Sequence, residues 1–228
     1  MEKHNPLQSA VVIDTILRHE KNWESLFFYQ KTVALYMMTY VFCKRFLPQY
    51  GDRTVDQMVQ AARSGKQNIV EGMADGVTSI EMEMKLINVA RASLRELRED
   101  YIDYLLTRQL IRWGNDHPRY HQMLDFCRIH NKSEFYEPYF YRWNAEEMCN
   151  VALSLCHFTD KMMVSYERYL EKDFKENGGI RERMTAARLG YRNIQRATID
   201  AKEQEIKTLK EEIEKLKAEI EKLKKQNK

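Results

Sequence analysis

Ile199, Ile206, Ile213 and Ile220 recur every seven residues, and Leu209, Leu216 and Leu223 hold the fourth position of the last three heptads. An apolar stripe with this period is buried only against another helix, so the stretch from Ile199 to Lys228 predicts a coiled coil with Ile at a and Leu at d. Glu205, Glu212 and Glu219 fall at g, and Lys210, Lys217 and Lys224 fall at e, five residues later. In a parallel in-register pair each g glutamate meets an e lysine of the neighbour; an antiparallel pair would set glutamate against glutamate. The charges therefore select parallel copies of this same chain. Ile at a with Leu at d favours two strands, although the seam holds no Asn that would exclude other numbers.

The rest of the chain is also helical by pattern. Only eight glycines and four prolines occur in 228 residues. Apolar residues three and four apart run from about Trp23 to Phe46 and stop at Pro48 and Gly51. A second helix opens at Asp52 or Thr54, carries Met58, Ala61, Ala62, Ile69 and Val70, and is expected to end at Gly72 and Gly76. Thr78 or Ser79 caps a third, with Glu81 and Glu83 in its first turn where they suit the helix dipole, and Ile80, Met84, Ile87, Ala90, Leu94, Leu97, Tyr101 and Leu105 as its buried stripe. Residues 114–144 predict an irregular connection with one short helix around Arg119 to Ile129. Ala145 to Phe174 predicts a fourth long helix, halted by Asn177, Gly178 and Gly179. From Ile180 onward a single helix of roughly 70 Å is expected.

The fold expected is therefore all-α: an up-and-down four-helix bundle whose C-terminal basic helix runs into a parallel coiled coil. Residues 1–22 form an N-terminal helical appendage with Val11, Val12, Thr15 and Ile16 on its apolar side. The bundle occupies 23–176, an Arg-rich suffix helix 177–198, and the coiled coil 199–228.

Charge and composition narrow the function. A formal charge of +3 argues against a wholesale polyanion binder but leaves room for a local basic surface. Cys43, Cys127, Cys149 and Cys156 are too dispersed for a disulfide framework and read as buried thiols. The first residues lack a signal-peptide pattern, and the longest apolar run, Val33 to Cys43, is too short to span a bilayer, so a soluble cytoplasmic protein without membrane contact is expected. No Gly-rich phosphate loop, nucleophile elbow or HExxH motif occurs, and neither enzyme activity nor a cofactor is expected. His117, His121, Cys127 and His130 have ligand-like spacings, yet Pro118 interrupts them and no metal is expected.

Two arginine stripes carry the functional reading. Arg181, Arg188, Arg192 and Arg196 fall within a narrow arc of one helix face, where guanidinium groups suit phosphates. Arg91, Arg95 and Arg98 form a second stripe beside the apolar seam of the third helix, with Arg95 and Glu99 spaced for an i,i+4 ion pair. A third candidate is the aromatic run Phe135, Tyr136, Tyr139, Phe140, Tyr141 and Trp143, suited to packing over the bundle end or to stacking on unpaired bases.

Gln57-Met58-Val59-Gln60-Ala61-Ala62-Arg63-Ser64, followed by Asn68-Ile69-Val70-Glu71-Gly72, resembles the signature of the four-helix bundle proteins encoded by intervening sequences of bacterial large-subunit ribosomal RNA genes. Ala90-Arg91-Ala92-Ser93-Leu94-Arg95-Glu96-Leu97 resembles that family's third-helix motif, and the Gly178-Gly179 segment with its Arg-rich helix is similar to the suffix of one branch. Val59 and Gln60 stand where the family often has basic residues. The resemblance implies a bundle with no catalytic activity, in a family whose members form ring-shaped homo-oligomers, with RNA or DNA as ligand and a protein partner such as a reverse transcriptase. The expected function is a homo-oligomeric scaffold that binds nucleic acid through its arginine surfaces, accessory to a nucleic-acid-processing machine. The alternative is a protein-interaction module with no nucleic-acid ligand.

Overall fold

The computed structural model describes residues 16–48 and 53–226, and among these it is all-helical with no strand. The six α-helices are α1 (Phe27–Phe46), α2 (Arg53–Asp75), α3 (Ile80–Thr107), α4 (Tyr120–Ile129), α5 (Ala145–Asn177) and α6 (Ile180–Gln226). Short 3-10 turns at Trp23–Ser25, Ser133–Phe135 and Glu137–Tyr139 fill the connections. Two compact units result: a body from Leu17 to Gly179, and a second unit that holds α6. Leu17 to Asn22, expected in the N-terminal helical appendage, belong to the body; residues 1–15 of that appendage and the candidate cap Asp52 lie outside the described residues.

Within the body, α1 packs on α2 and α5, α3 packs on α2 and α5, and α4 lies against α5. The interior is built from Leu35, Met38 and Phe42 of α1, Met58, Ile69 and Met73 of α2, Ile87, Leu97 and Tyr101 of α3, and Met148, Leu155 and Met163 of α5. Local chemistry sets the helix ends. Ser79 Oγ accepts from the Met82 N–H at 3.1 Å, and Asn144 and Glu147 form a reciprocal capping box at 2.9 Å in each direction. Leu47, preceding Pro48, is held in extended backbone and ends α1. Gly178 ends α5 at φ 67°, a conformation that favours glycine.

Gly72 does not end α2. The helix continues to Asp75 because Gly65 and Gly72 face α3 at close range. A Cβ on Gly65 would lie 2.6 Å from Leu94 Cδ2, and one on Gly72 would lie 3.2 Å from Leu86 Cβ. Ser64 and Ser93 share a 2.9 Å hydrogen bond across the same seam. Small residues here bring two helices together, a use that the isolated sequence of α2 does not distinguish from a stop.

The N-terminal part of α5 is buried on all sides, with every residue from Met148 to Cys156 inside. A helix apolar all round must be covered all round, and α4 with the aromatic connection supplies part of that cover. Tyr136 and Phe140 are buried, and Tyr136 donates to the His130 carbonyl at 2.7 Å. Asn150 ties the preceding loop down by donating to the Ile111 carbonyl and accepting from the Trp113 N–H.

Candidate nucleic-acid interface

α6 carries the strongest concentration of charge. Its first twenty residues, 180–199, hold Arg181, Arg183, Arg188, Arg192 and Arg196 against the single acid Glu182, a surplus of four where the entire chain carries +3. The helix is unbroken through Gly190, and at about 100° per residue Arg181, Arg188, Arg192 and Arg196 span roughly 80° of its circumference. All four are exposed, and none forms an ion pair among the described residues. Farther along, Ile199, Ile206, Leu209, Ile213, Leu216, Ile220 and Leu223 are each between 50% and 58% exposed. That apolar stripe packs against no core residue among the described residues.

The α3 stripe is placed differently. Arg91 is mostly buried and spans to α5, with Nε 2.9 Å from Asp160 Oδ1 and Nη1 2.6 Å from Glu167 Oε2. Its donors are taken up inside the body. Arg95 reaches Asp160 at 3.7 Å rather than Glu99, and Glu99 pairs instead with Arg98 at 2.9 Å. The i,i+4 spacing loses to Asp160 because α5 lies alongside α3 and offers the carboxylate. Arg95 and Arg98 open on a cleft of about 270 Å³ between α3 and α5, together with His157 and Asp160. Burial, reinforced by Lys161 and Arg98, lowers the His157 pKa.

Of the remaining candidates, His117, His130, Cys127 and part of the aromatic run make packing contacts. His117 stacks on Trp113 with centroids 4.1 Å apart, and His130 Nδ1 lies 2.9 Å from the Phe126 carbonyl. Cys127 is buried, and burial pushes its thiol up to about 12. No group of three or more His, Cys, Asp or Glu side chains among the described residues is arranged to hold a metal. Tyr139 stacks on Trp143 at 5.0 Å, while Phe135 and Tyr141 remain exposed.

Two buried charges are missing from the sequence reading. Glu83, expected in the first turn of α3 for its fit to the helix dipole, is also fully buried. It accepts from Arg18 Nη1 and Lys21 Nζ, both at 2.8 Å, and from the Tyr166 hydroxyl. Arg18 Nη2 extends the cluster to Asp173 at 2.6 Å, and Nη1 also donates to the Gly76 carbonyl. Burial lowers the Lys21 pKa against the opposing pull of Glu83, and burial with the Glu83 contact raises the Tyr166 phenol. This set anchors the chain before α1 to α3 and α5. Lys31, also fully buried, donates to the Cys127 and His130 carbonyls at the end of α4. A signal existed for both: Glu83 lies in the series Ile80, Glu83, Ile87, Ala90, Leu94, and Lys31 in Phe28, Lys31, Leu35, Met38, Phe42, so each occupies a core position of its helix.

Comparison with known proteins finds no family model, no curated protein and no solved structure that matches the chain. Among the described residues, no helix is long and apolar enough to cross a membrane.

Proposed function

We propose that the protein is a non-enzymatic, homo-oligomeric scaffold that binds nucleic acid through arginine surfaces, with the basic half of α6 as the principal one. In this reading α1, α2, α3 and α5 form an up-and-down four-helix bundle, and the Ile/Leu half of α6 joins copies of the chain as a parallel coiled coil. The protein works in the cytoplasm as an accessory to a nucleic-acid-processing machine, in keeping with its resemblance to the ribosomal intervening-sequence family. The observation that carries the proposal is the α6 stripe: Arg181, Arg188, Arg192 and Arg196 are exposed and without ion pairs among the described residues, in the segment that holds the chain's surplus charge.

Charge reversal at Arg188, Arg192 and Arg196 to Glu is the direct test, read by titrating nucleic acid across a range of salt concentrations. Phosphate contacts release counterions, so the wild-type affinity falls steeply with salt, and the variant loses both the affinity and the slope. Unchanged affinity and slope would refute the proposal. A protein-docking role for arginine has its own support in Arg91, which already bridges two carboxylates of α5. A stripe used that way would leave nucleic-acid affinity absent in wild type and would copurify with an acidic protein.

A further inference from the structure

Counting back in sevens from the coiled-coil seam gives the basic stripe a definite register. Arg192 stands seven residues before Ile199, at a, while Arg181 and Arg188 stand thirty-five residues before Leu216 and Leu223, at d. Gln195 and Lys202 also fall at d, and Arg196 falls at the flanking e position. α6 is one unbroken helix over this length, so the a/d register that is apolar from Ile206 onward continues without a skip into the register that is basic before Ile199. The large apolar residues of the basic half, Ile180, Met184, Leu189, Tyr191 and Ile194, fall at c, g, e, g and c, so none occupies an a or d position.

A parallel pair cannot continue through this segment on its own. It would bring Arg181, Arg188, Arg192 and Lys202 of each chain against the same residues of the other, and like charges at about 6 Å repel by several tenths of a kcal/mol per pair even in water, more where solvent is thinned. Pairing therefore holds over the Ile/Leu heptads and gives way near Ile199, leaving two helices that diverge with their arginines on the inner faces.

We infer that this diverging pair is a clamp for double-stranded DNA, formed only when two copies of the chain join in parallel and each contributes Arg181, Arg188 and Arg192 to the space on the two-fold axis. The inference rests on the nucleic-acid reading above and adds the ligand and the requirement for a second copy. The occupant must be a polyanion presenting phosphates to two inward faces. B-form DNA meets this with a major groove about 12 Å wide, which admits a helix, whereas the A-form RNA major groove is too deep and narrow. A single strand offers one line of phosphates to two faces.

The test uses the full chain, with fluorescence anisotropy of a mixed-sequence DNA duplex of about 20 base pairs, the matching RNA duplex and one DNA strand, in parallel with mass measurement in solution. Wild type is expected to be a dimer that prefers duplex DNA, with a log–log salt slope of about −5 for six arginine contacts. Ile213→Asp with Leu216→Asp leaves every arginine in place, and should yield monomers that bind at least tenfold more weakly with about half that slope. Arg188→Leu with Arg192→Leu should do the opposite to assembly, raising dimer stability by extending the seam while reducing DNA affinity at least tenfold. That pairing of effects is not expected of a stripe that serves only to keep the helix soluble. Monomers that bind duplex DNA as tightly as wild type, a wild-type trimer or larger ring, or a preference for RNA or single strands would each overturn the clamp and leave the broader proposal standing. Absence of any nucleic-acid binding by wild type would sink both.

Discussion

Replacing Glu83 by Gln removes one charge and almost no volume, and so isolates what the buried cluster contributes. In the native body Glu83 faces two cations and a phenol with no access to solvent. The amide leaves Lys21 without a counter-charge at 2.8 Å and turns one acceptor into an N–H that must face Arg18, Lys21 or Tyr166. Removing one partner of a buried pair costs about 3–5 kcal/mol. Arg18 keeps Asp173 at 2.6 Å, and the Lys21 side chain is 26% exposed, which places the expected loss near the lower end, about 3 kcal/mol. For a unit of this size that corresponds to roughly 6–12 °C in Tm. Trp23, Trp113 and Trp143 are the chain's three tryptophans and all lie between Leu17 and Gly179, so urea or thermal unfolding followed by their emission reports on the body and not on α6. A loss below about 1 kcal/mol would refute the claim that the cluster anchors the segment before α1. Replacing Arg18, Lys21, Glu83 and Asp173 together by Leu, Met, Leu and Asn should cost less than Glu83→Gln alone, since no charge of the cluster is then left inside without its partner.

Gly65→Ala should lower the unfolding free energy of the body, read from urea titration, by about 1–3 kcal/mol, because its Cβ meets Leu94 Cδ2 at 2.6 Å and overpacking outweighs the helix-propensity gain. Gly190→Ala, where an added Cβ meets nothing within 4 Å, should instead stabilise α6 by about 0.5–1 kcal/mol, seen as a higher melting temperature of its helical circular dichroism signal. Burial lowers the Lys31 pKa from 10.5 to about 8, so the unfolded chain binds more protons between these values and this group's unfavourable charge burial is relieved as pH rises. Stability compared at pH 7.5 and 9.5 should therefore rise more in wild type than in Lys31→Met, and equal slopes would exclude Lys31 as the source. All four cysteines are buried, with Cys127 and Cys156 pushed up to about 12, so a thiol reagent should modify them only at the rate of unfolding.

The helices themselves are legible because each announces itself locally. Three-four spacing gives α1, α3 and α5, Ser79 and the Gly178–Gly179 pair mark ends, and the absence of breakers after Gly179 gives α6 its length. What eludes the one-dimensional pattern is anything that depends on a neighbour. Gly72 reads as a helix exit or a close backbone approach until α3 beside it decides for the approach, and Arg95 reads as the partner of Glu99 until α5 brings Asp160 within reach. Arg18 and Asp173 are 155 residues apart, and no periodicity connects them.

The buried charges supply a rule that bears on α6. Where a charged residue occupies the core register of a helix, desolvation makes it costly unless a partner of opposite polarity meets it there. Glu83 sits in the α3 seam and meets Arg18, Lys21 and Tyr166; Lys31 sits in the α1 seam and meets two carbonyls at the end of α4. Arg188 and Arg192 sit in the same relation to the α6 seam, but no carboxylate answers them among the described residues. The body's interior cations are matched from within, by acids and backbone carbonyls of its own, whereas the α6 arginines outnumber the acids of their segment five to one. This contrast is what motivates the proposal that an anion from outside the chain complements the α6 arginines and that a second copy makes their seam two-sided.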